Sequence, residues 1–456
     1  MYKKISLIIM ALILITAMAC SPRERPNPQG EQPNEDLPKD RLAKSKKEAV
    51  EENINGYNLE DDLRISDIIK EPEEHRVLLI SEKEKMQVLE RVKPKKINTV
   101  LEEYKSDLPN EITEVVQYTQ YEISFDYFLI TAENGAKILE KPKPNSTLVA
   151  QGEELEKVSL LQRVEGEEIN GSKIWYRVAF KNGNGIKEGY ISSTDGTPRS
   201  FRFDKMQNAI NELKQQLAEG ELHFISNYKN ENGAPPSKGD AAVDEHGYRV
   251  YHSAPAYQEA DENSDFRYIP DGMLVRILNE TGDYYHIYSP TFDGNYYVPK
   301  RYIDPEKKLD KLKDVIVVDR SQQNQAAFEV VDNGLNLISY TLSTTGIKGD
   351  FSFVTTLGSY KAIVKRDRFE YLKSGTQEIA GYAPFAIRFT GGAYIHGVPV
   401  KYEEKDGEKV DPGVIEYLHT IGTFPRSSMC VRNYTSHAEF LYNWMDVEGG
   451  AFIIIE

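Results

Sequence analysis

The chain has 456 residues, 39% of them hydrophobic and 28% charged, with 72 acidic against 56 basic side chains and a formal net charge of −16. At roughly 150 residues per domain, this length argues for about three domains, and the acidic balance disfavours a nucleic-acid binder, which presents a basic patch. Two cysteines, Cys20 and Cys430, are too few for a disulfide framework or an all-cysteine zinc site, so each needs its own explanation.

Lys3 and Lys4 precede an apolar run from Ile5 to Met18, and Ala19 stands before Cys20. The run is shorter than the ~20 residues of a spanning helix and follows positive charge, which is the layout of a secretory signal. Ala17, Met18, Ala19 and Cys20 resemble the lipobox of bacterial lipoproteins. That resemblance implies a signal peptide over 1–19, lipidation of Cys20 and membrane attachment through the lipid. It places the protein at the cell envelope, on the periplasmic face, and at the outer membrane if the organism is Gram-negative. An ordinary signal peptide or an anchor helix is the alternative. From 20 to 60 the chain is polar and carries Pro22, Pro26, Pro28, Pro33 and Pro38, a composition that cannot offset its ordering entropy and reads as a disordered tether.

Residues 61–125 are charged and helical in pattern: Ser81 and Glu84 have capping-box spacing, and Ile97, Val100, Leu101 and Tyr104 fall on one helical face. A helical or mixed spacer is expected there. Between 126 and 196 short β-like runs alternate with Gly, Asn and Pro. Ile174 to Phe180 is followed by Asn182 to Gly185 and then by Gly189, Tyr190 and Ile191, a hairpin pattern. Residues 245–305 repeat the theme with Tyr284 to Ile287, Gly294 and Asn295, and Tyr296 to Val298. Both stretches resemble bacterial SH3-like domains, whose late strands carry Trp-Tyr-x-Val and then Gly-Tyr-Ile or Gly-Tyr-Val. The first holds the pattern at Trp175 to Val178 and Gly189 to Ile191, whereas the second has Tyr284 for the tryptophan and Tyr296 for the glycine. Two small barrels are expected, with wall-peptide binding implied by the resemblance and core filling by the aromatics as the alternative. Between them Phe203, Met206, Ile210, Leu213 and Leu217 predict a helix over 201–220, capped by Asp204, ended by Gly220 and packed against a barrel.

The last domain, 311–456, reads as a β-sandwich built on runs such as Asp314 to Asp319, Leu335 to Leu342 and Gly449 to Ile455. His396, His419 and His437 lie in its final 61 residues together with Cys430. A thiol without a disulfide partner in a secreted protein is a candidate nucleophile, and a nearby imidazole favours its thiolate. A buried inert cysteine is the alternative. His437 falls within a predicted helix, Ser436 to Met445, and is expected at the surface.

Tyr394, Ile395, His396 and Gly397, followed by Ser427, Ser428, Met429, Cys430, Val431 and Arg432, resemble the L,D-transpeptidase catalytic domain, also called YkuD. Thr356 to Tyr360 stands for that family's Thr-Pro-x-Gly-x-Phe. The fold class expected overall is thus multidomain and mainly β, two SH3-like barrels and a YkuD-type β-sandwich behind a helical N-terminal spacer. The resemblance implies Cys430 as nucleophile and His396 as general acid/base, with Ser428, Arg432 and Gly397 at the substrate site. Tyr382 is a further candidate for lining that site, with core packing as its alternative. His419 is the rival base, but lacks a following glycine and the strand context. The implied substrates are peptidoglycan stem peptides, joined by 3→3 crosslinks through a thioester, or hydrolysed if water replaces the acceptor amine; no cofactor is implied.

Two features depart from the family pattern. Met429 stands where glycine is usual, and the segment from His396 to Cys430 contains the polar run Lys401 to Asp411. Three other readings compete. An NlpC/P60-type cysteine peptidase places its histidine well after its cysteine, and only 26 residues follow Cys430. Ser226 and Lys229 fit Ser-x-x-Lys, but no Lys-Thr-Gly partner appears. A membrane-anchored, catalytically impaired wall-binding protein is the non-enzyme alternative. No His-Glu-x-x-His metal spacing is present.

Overall fold

A computed structural model describes residues 78–91, 99–183, 185–238, 241–349, 352–373, 376, 378–414 and 420–456. The signal segment, Cys20, the tether, His75 and His419 lie outside the described residues.

The helix Glu82–Arg91 begins with the expected capping box: the Ser81 N–H donates to Glu84 Oε2 at 2.8 Å, and the Glu84 N–H donates to Ser81 Oγ at 3.2 Å. The helical face read for Val100, Leu101 and Tyr104 is overturned. Val100–Glu103 is an exposed strand on the edge of Lys157–Ile169, because edge pairing satisfies its backbone where an isolated turn of helix would not. Further on, Ile112–Glu114 pairs in parallel with Gly334–Leu342 of the last domain. The spacer is therefore stitched into two other sheets.

Two antiparallel sheets occupy the stretches where barrels were expected. In the first the order runs Leu148–Gly152, Ala136–Leu139, Gly185–Ser192, Ser172–Asn182, Lys157–Ile169, Asp126–Ile130, Gly196–Ser200. In the second it runs Phe266–Pro270, Ser253–Tyr257, Gly294–Pro299, Tyr284–Ser289, Leu274–Thr281, Leu222–Ile225, Ile303–Leu309. Numbered from its own first strand, each has the same connectivity, and each has a short 3-10 turn before its last strand, Ser193–Asp195 and Lys300–Tyr302. The repetition read in the sequence is thus a repetition of topology. Neither strand path closes on itself, so no closed barrel is found.

The helix Phe203–Glu219 buries Phe203, Met206, Ile210 and Leu213. Its cap differs from expectation: Arg202 holds the N-cap position without a capping bond, and its guanidinium instead grips Asp319 through Nε–Oδ2 at 2.6 Å and Nη2–Oδ1 at 2.7 Å. The apolar stripe shares a core with Val315, Val317, Phe328 and Ile453, so it packs on the last domain as well as beside Leu222 and Leu274 of the second sheet.

That last domain has two sheets. One orders Gly334–Leu342, Asn324–Val331, Asp314–Asp319, Gly450–Ile455 and Gly358–Lys361; the other orders Val364–Leu372, Ile379–Thr390, Ala393–His396 and Val431–Arg432. Side chains alternate along a strand. Val315 and Val317 accordingly face the helix stripe, while Ile316 and Val318 face Ile387, Phe389, Ile395 and Val431 of the opposite sheet. Burial on both faces explains the uninterrupted apolar run in Asp314–Asp319. The polar run Lys401 to Asp411 forms a small hairpin, Glu403–Lys405 with Glu408–Val410, held by Lys409 to the Ile379 carbonyl at 2.9 Å.

Among the described residues, no helix is long and apolar enough to cross a membrane.

Candidate active site

The strands Ala393–His396 and Val431–Arg432 pair in parallel, with Ile395 opposite Val431 and His396 opposite Arg432. Residues two apart on an extended chain share a face. Cys430 therefore falls on the same side as Arg432 and His396. All three line a pocket of about 410 Å³ with Phe369, Tyr371, Ser427 and Ser428.

The backbone fixes His396 tightly. Its carbonyl accepts the Asn433 N–H at 2.9 Å, and its Nδ1 lies 2.6 Å from the Gly397 carbonyl oxygen. A carbonyl only accepts, so Nδ1 carries the proton and Nε2 is the basic nitrogen. Burial pushes the ring down to about 3; the Gly397 bond opposes this and the Arg432 charge adds to it. At neutral pH the imidazole is uncharged, the form able to take a thiol proton. Gly397 does not line the pocket. It lies behind His396, where a Cβ would come within 3.0 Å of Pro384 Cγ and 3.1 Å of Thr435 Cα.

Cys430 is buried, with Sγ 3.9 Å from the Gly392 carbonyl oxygen and its side chain among Phe369, Ala383, Ala386 and Tyr394. It forms no disulfide among the described residues. Ser427 is buried and its hydroxyl donates to the Cys430 carbonyl, bracing the turn. Arg432 is mostly enclosed, and burial lowers its pKa, partly offset by attraction to Cys430.

Met429 adopts φ +62°, the left-handed region that favours glycine. The chain accommodates a side chain by burying it in the core between the two sheets, and by tying its backbone on both sides. The Met429 N–H donates to the Phe353 carbonyl at 2.8 Å, and the Thr355 hydroxyl donates to the Met429 carbonyl at 2.7 Å. The Cys430 N–H turns back to the Ser428 carbonyl at 2.8 Å. Both backbone donors nearest the nucleophile are therefore engaged, so an oxyanion approaching Cys430 has to displace the Ser428 carbonyl.

Two expectations change. Tyr382 is buried, donates to Asp411 Oδ1 at 3.1 Å, packs with Val400 and Val414, and is not among the pocket-lining residues. His437 is not at the surface. It is buried, with Nε2 3.1 Å from Ser339 Oγ and Nδ1 3.0 Å from Asn433 Oδ1, and burial pushes it down to about 3. The polar face of its helix turns inward because Asn433, Gln325 and Ser339 supply partners there. Sequence reading missed Tyr371, Phe369 and Thr420 as pocket residues; the alternation of Val364–Leu372 places Phe369 and Tyr371 on one face, but nothing in the sequence aims that strand at Cys430. No group of three His, Cys, Asp or Glu side chains among the described residues is placed to hold a metal.

Residues 313–455 match the family described as the L,D-transpeptidase catalytic domain, YkuD. Similar solved structures include L,D-transpeptidase 3 from Mycobacterium tuberculosis, at 16% identity over 36% of this chain and 74% of that one, with a TM-score of 0.24. An L,D-transpeptidase from Mycobacterium smegmatis matches at 11% identity over 62% and 91%, with a TM-score of 0.24. A fused Zn-dependent amidase/peptidase/peptidoglycan-binding domain-containing protein from Clostridium acetobutylicum matches at 15% identity over 31% of this chain and 51% of that one, about half its length, with a TM-score of 0.22. No curated protein matches.

Proposed function

We propose that the YkuD catalytic domain at residues 313–455 makes this protein a cysteine-dependent peptidoglycan L,D-transpeptidase that forms 3→3 crosslinks. The observation that carries the reading is the convergence of His396, Cys430 and Arg432 on one pocket inside the matched segment. The Cys430 thiol passes its proton to His396 Nε2, and the sulfur attacks the carbonyl carbon between the third residue of a stem tetrapeptide and its terminal D-alanine. The C–N bond breaks, the leaving amine takes the proton from His396, and a thioester remains on Cys430. The side-chain amine of a second stem then attacks the thioester. It yields a proton through His396 to the departing sulfur, leaving a new amide and the thiol. Water in place of the amine gives carboxypeptidase action.

Arg432 favours the thiolate or a substrate carboxylate by its charge, and Ser428 lines the approach to the oxyanion. One donor freed for that oxyanion contributes typically about 3 to 4 kcal/mol. The two repeated sheets are SH3-like modules in this reading, and Cys20 is the lipidated anchor that holds the enzyme at the envelope.

The test is intact-mass measurement after incubation with a stem tetrapeptide. The expected result is a tripeptidyl adduct on Cys430 with release of D-alanine. Lack of any adduct would favour an anchored wall-binding protein, a reading to which the engaged Cys430 N–H lends its one support.

A further inference from the structure

Segments connecting strands of the second β-sheet reach the nucleophile's turn from two sides. On one side, Asp271 follows the strand Phe266–Pro270 and is buried against the last domain. Its Oδ1 accepts the Asn227 N–H at 2.9 Å, and its Oδ2 lies 2.6 Å from Nη1 of Arg388, on the strand Ile379–Thr390. The same Nη1 donates to the Gly391 carbonyl at 3.3 Å. Gly391, at φ +36°, lies against His252, where an added Cβ would come within 3.2 Å of the His252 Cβ and 3.3 Å of its imidazole. The adjacent Gly392 offers its carbonyl to Cys430 Sγ, and the strand ending in His396 begins at Ala393. A buried ion pair between sheets thus sets the turn on which both the thiol and the histidine strand depend.

On the other side, Arg249 is buried with Nη1 3.8 Å from Met429 Sδ and its guanidinium 4.4 Å from the centre of the Phe353 ring. Phe353 is the residue whose carbonyl takes the Met429 N–H. Arg249 therefore touches both the Met429 side chain and Phe353, one of the two residues that tie the Met429 backbone at positive φ. The left-handed conformation is unfavourable for a side-chain-bearing residue and persists only where its surroundings over-determine it.

We propose that Asp271 and Arg249 are positioning residues for the nucleophile, Asp271 through Arg388 and the Gly391–Gly392 turn, Arg249 through Phe353 and Met429. The second sheet is then a structural half of the active site as well as any binding module. Burial of Met429 replaces the intrinsic freedom of glycine with a grip supplied by Arg249, more than 170 residues away in the chain.

This inference rests on Cys430 as the reactive thiol, and alkylation of that thiol reads its positioning whether or not the protein crosslinks stem peptides. Iodoacetamide labelling of Cys430 in the full chain is compared for wild type, Asp271→Asn, Arg249→Met, and Arg249→Met combined with Met429→Gly, with Arg177→Gln of the first sheet as control. Asp271→Asn and Arg249→Met are each expected to change the labelling rate at neutral pH about tenfold and to shift its pH profile, as a thiol whose surroundings change does. In D-alanine release they lower kcat with KM unchanged. In the Met429→Gly background, where glycine adopts the turn unaided, Arg249→Met is expected to have no further effect, the non-additivity of residues acting through one another. Unchanged labelling in folded Asp271→Asn and Arg249→Met variants, or an equal effect of Arg249→Met in both backgrounds, overturns the proposal. If Asp271→Asn does not fold, the Arg249 comparison decides. A wild-type protein that labels at Cys430 but forms no peptide adduct defeats the functional reading alone.

Discussion

His396 stands directly opposite Arg432 across a parallel strand pair, so a buried neutral imidazole and a mostly enclosed cation share one face and line one pocket with Cys430. The guanidinium discourages a proton on His396 and is attracted to Cys430, which biases the charge toward sulfur. Arg432→Ala is expected to lower kcat/KM for tetrapeptide by about 10- to 100-fold, the value of one hydrogen bond to a charged group. Arg432→Lys should recover only part of it, since an ammonium lacks the planar fork. Steady-state D-alanine release measures both, and full activity of Arg432→Ala would contradict the role.

Acid stability follows from two histidines. His396 and His437 are each pushed by burial from 6.5 to about 3. Between those values the unfolded chain binds protons that the folded one refuses, so this contribution to stability is complete above about pH 6.5 and is lost as pH drops toward 3. Urea unfolding between pH 7 and 4 should show that slope. Replacing His437 by Gln, which keeps polar atoms without a titrating ring, should flatten part of it, and an unchanged slope would count against the buried neutral assignment.

Size alone predicts that Met429→Ala is milder than Met429→Gly. The backbone reverses the order. Both lose the buried side chain, at about 2 to 5 kcal/mol. Alanine keeps the left-handed penalty of about 1 to 2 kcal/mol, while glycine sheds it and gives up only about 0.8 kcal/mol more of burial. Thermal unfolding should place the glycine variant at or above the alanine variant, and the opposite order would contradict the strain at φ +62°.

A methyl group at Gly397 would press on Pro384 Cγ at 3.0 Å and Thr435 Cα at 3.1 Å, forcing a shift of a few tenths of an ångström directly behind the base. Gly397→Ala is expected to slow D-alanine release more than tenfold with a stability loss of about 1 to 3 kcal/mol, because misplacing a reacting group costs more in rate than in folding. Circular dichroism with kinetics separates the two effects.

The local patterns were legible where chemistry sits in contiguous residues. Tyr394 to Gly397 and Ser427 to Arg432 are short runs, and the strands carrying them pair as neighbours. The capping box at Ser81 and the helix over Phe203–Glu219 are likewise set by residues within a turn or two of one another. What could not be read was decided over long sequence separations. Val100 became strand because Lys157–Ile169 lay open beside it. His437 turned inward because Ser339 and Gln325 met it from strands about a hundred residues earlier. Met429 was recognisable as a departure from glycine, but its resolution, a left-handed backbone held by Arg249 and Phe353, required knowing that the second sheet packs against the nucleophile's turn.

The proposed role of Cys430 in joining stem peptides is tested most directly on the wall polymer itself. Isolated peptidoglycan incubated with purified wild-type protein, and in parallel with Cys430→Ala, can be digested and its muropeptides separated by mass. 3→3 dimers and loss of terminal D-alanine are expected with wild type and neither with the variant. Identical muropeptides from the two, or dimers formed by Cys430→Ala, would contradict it.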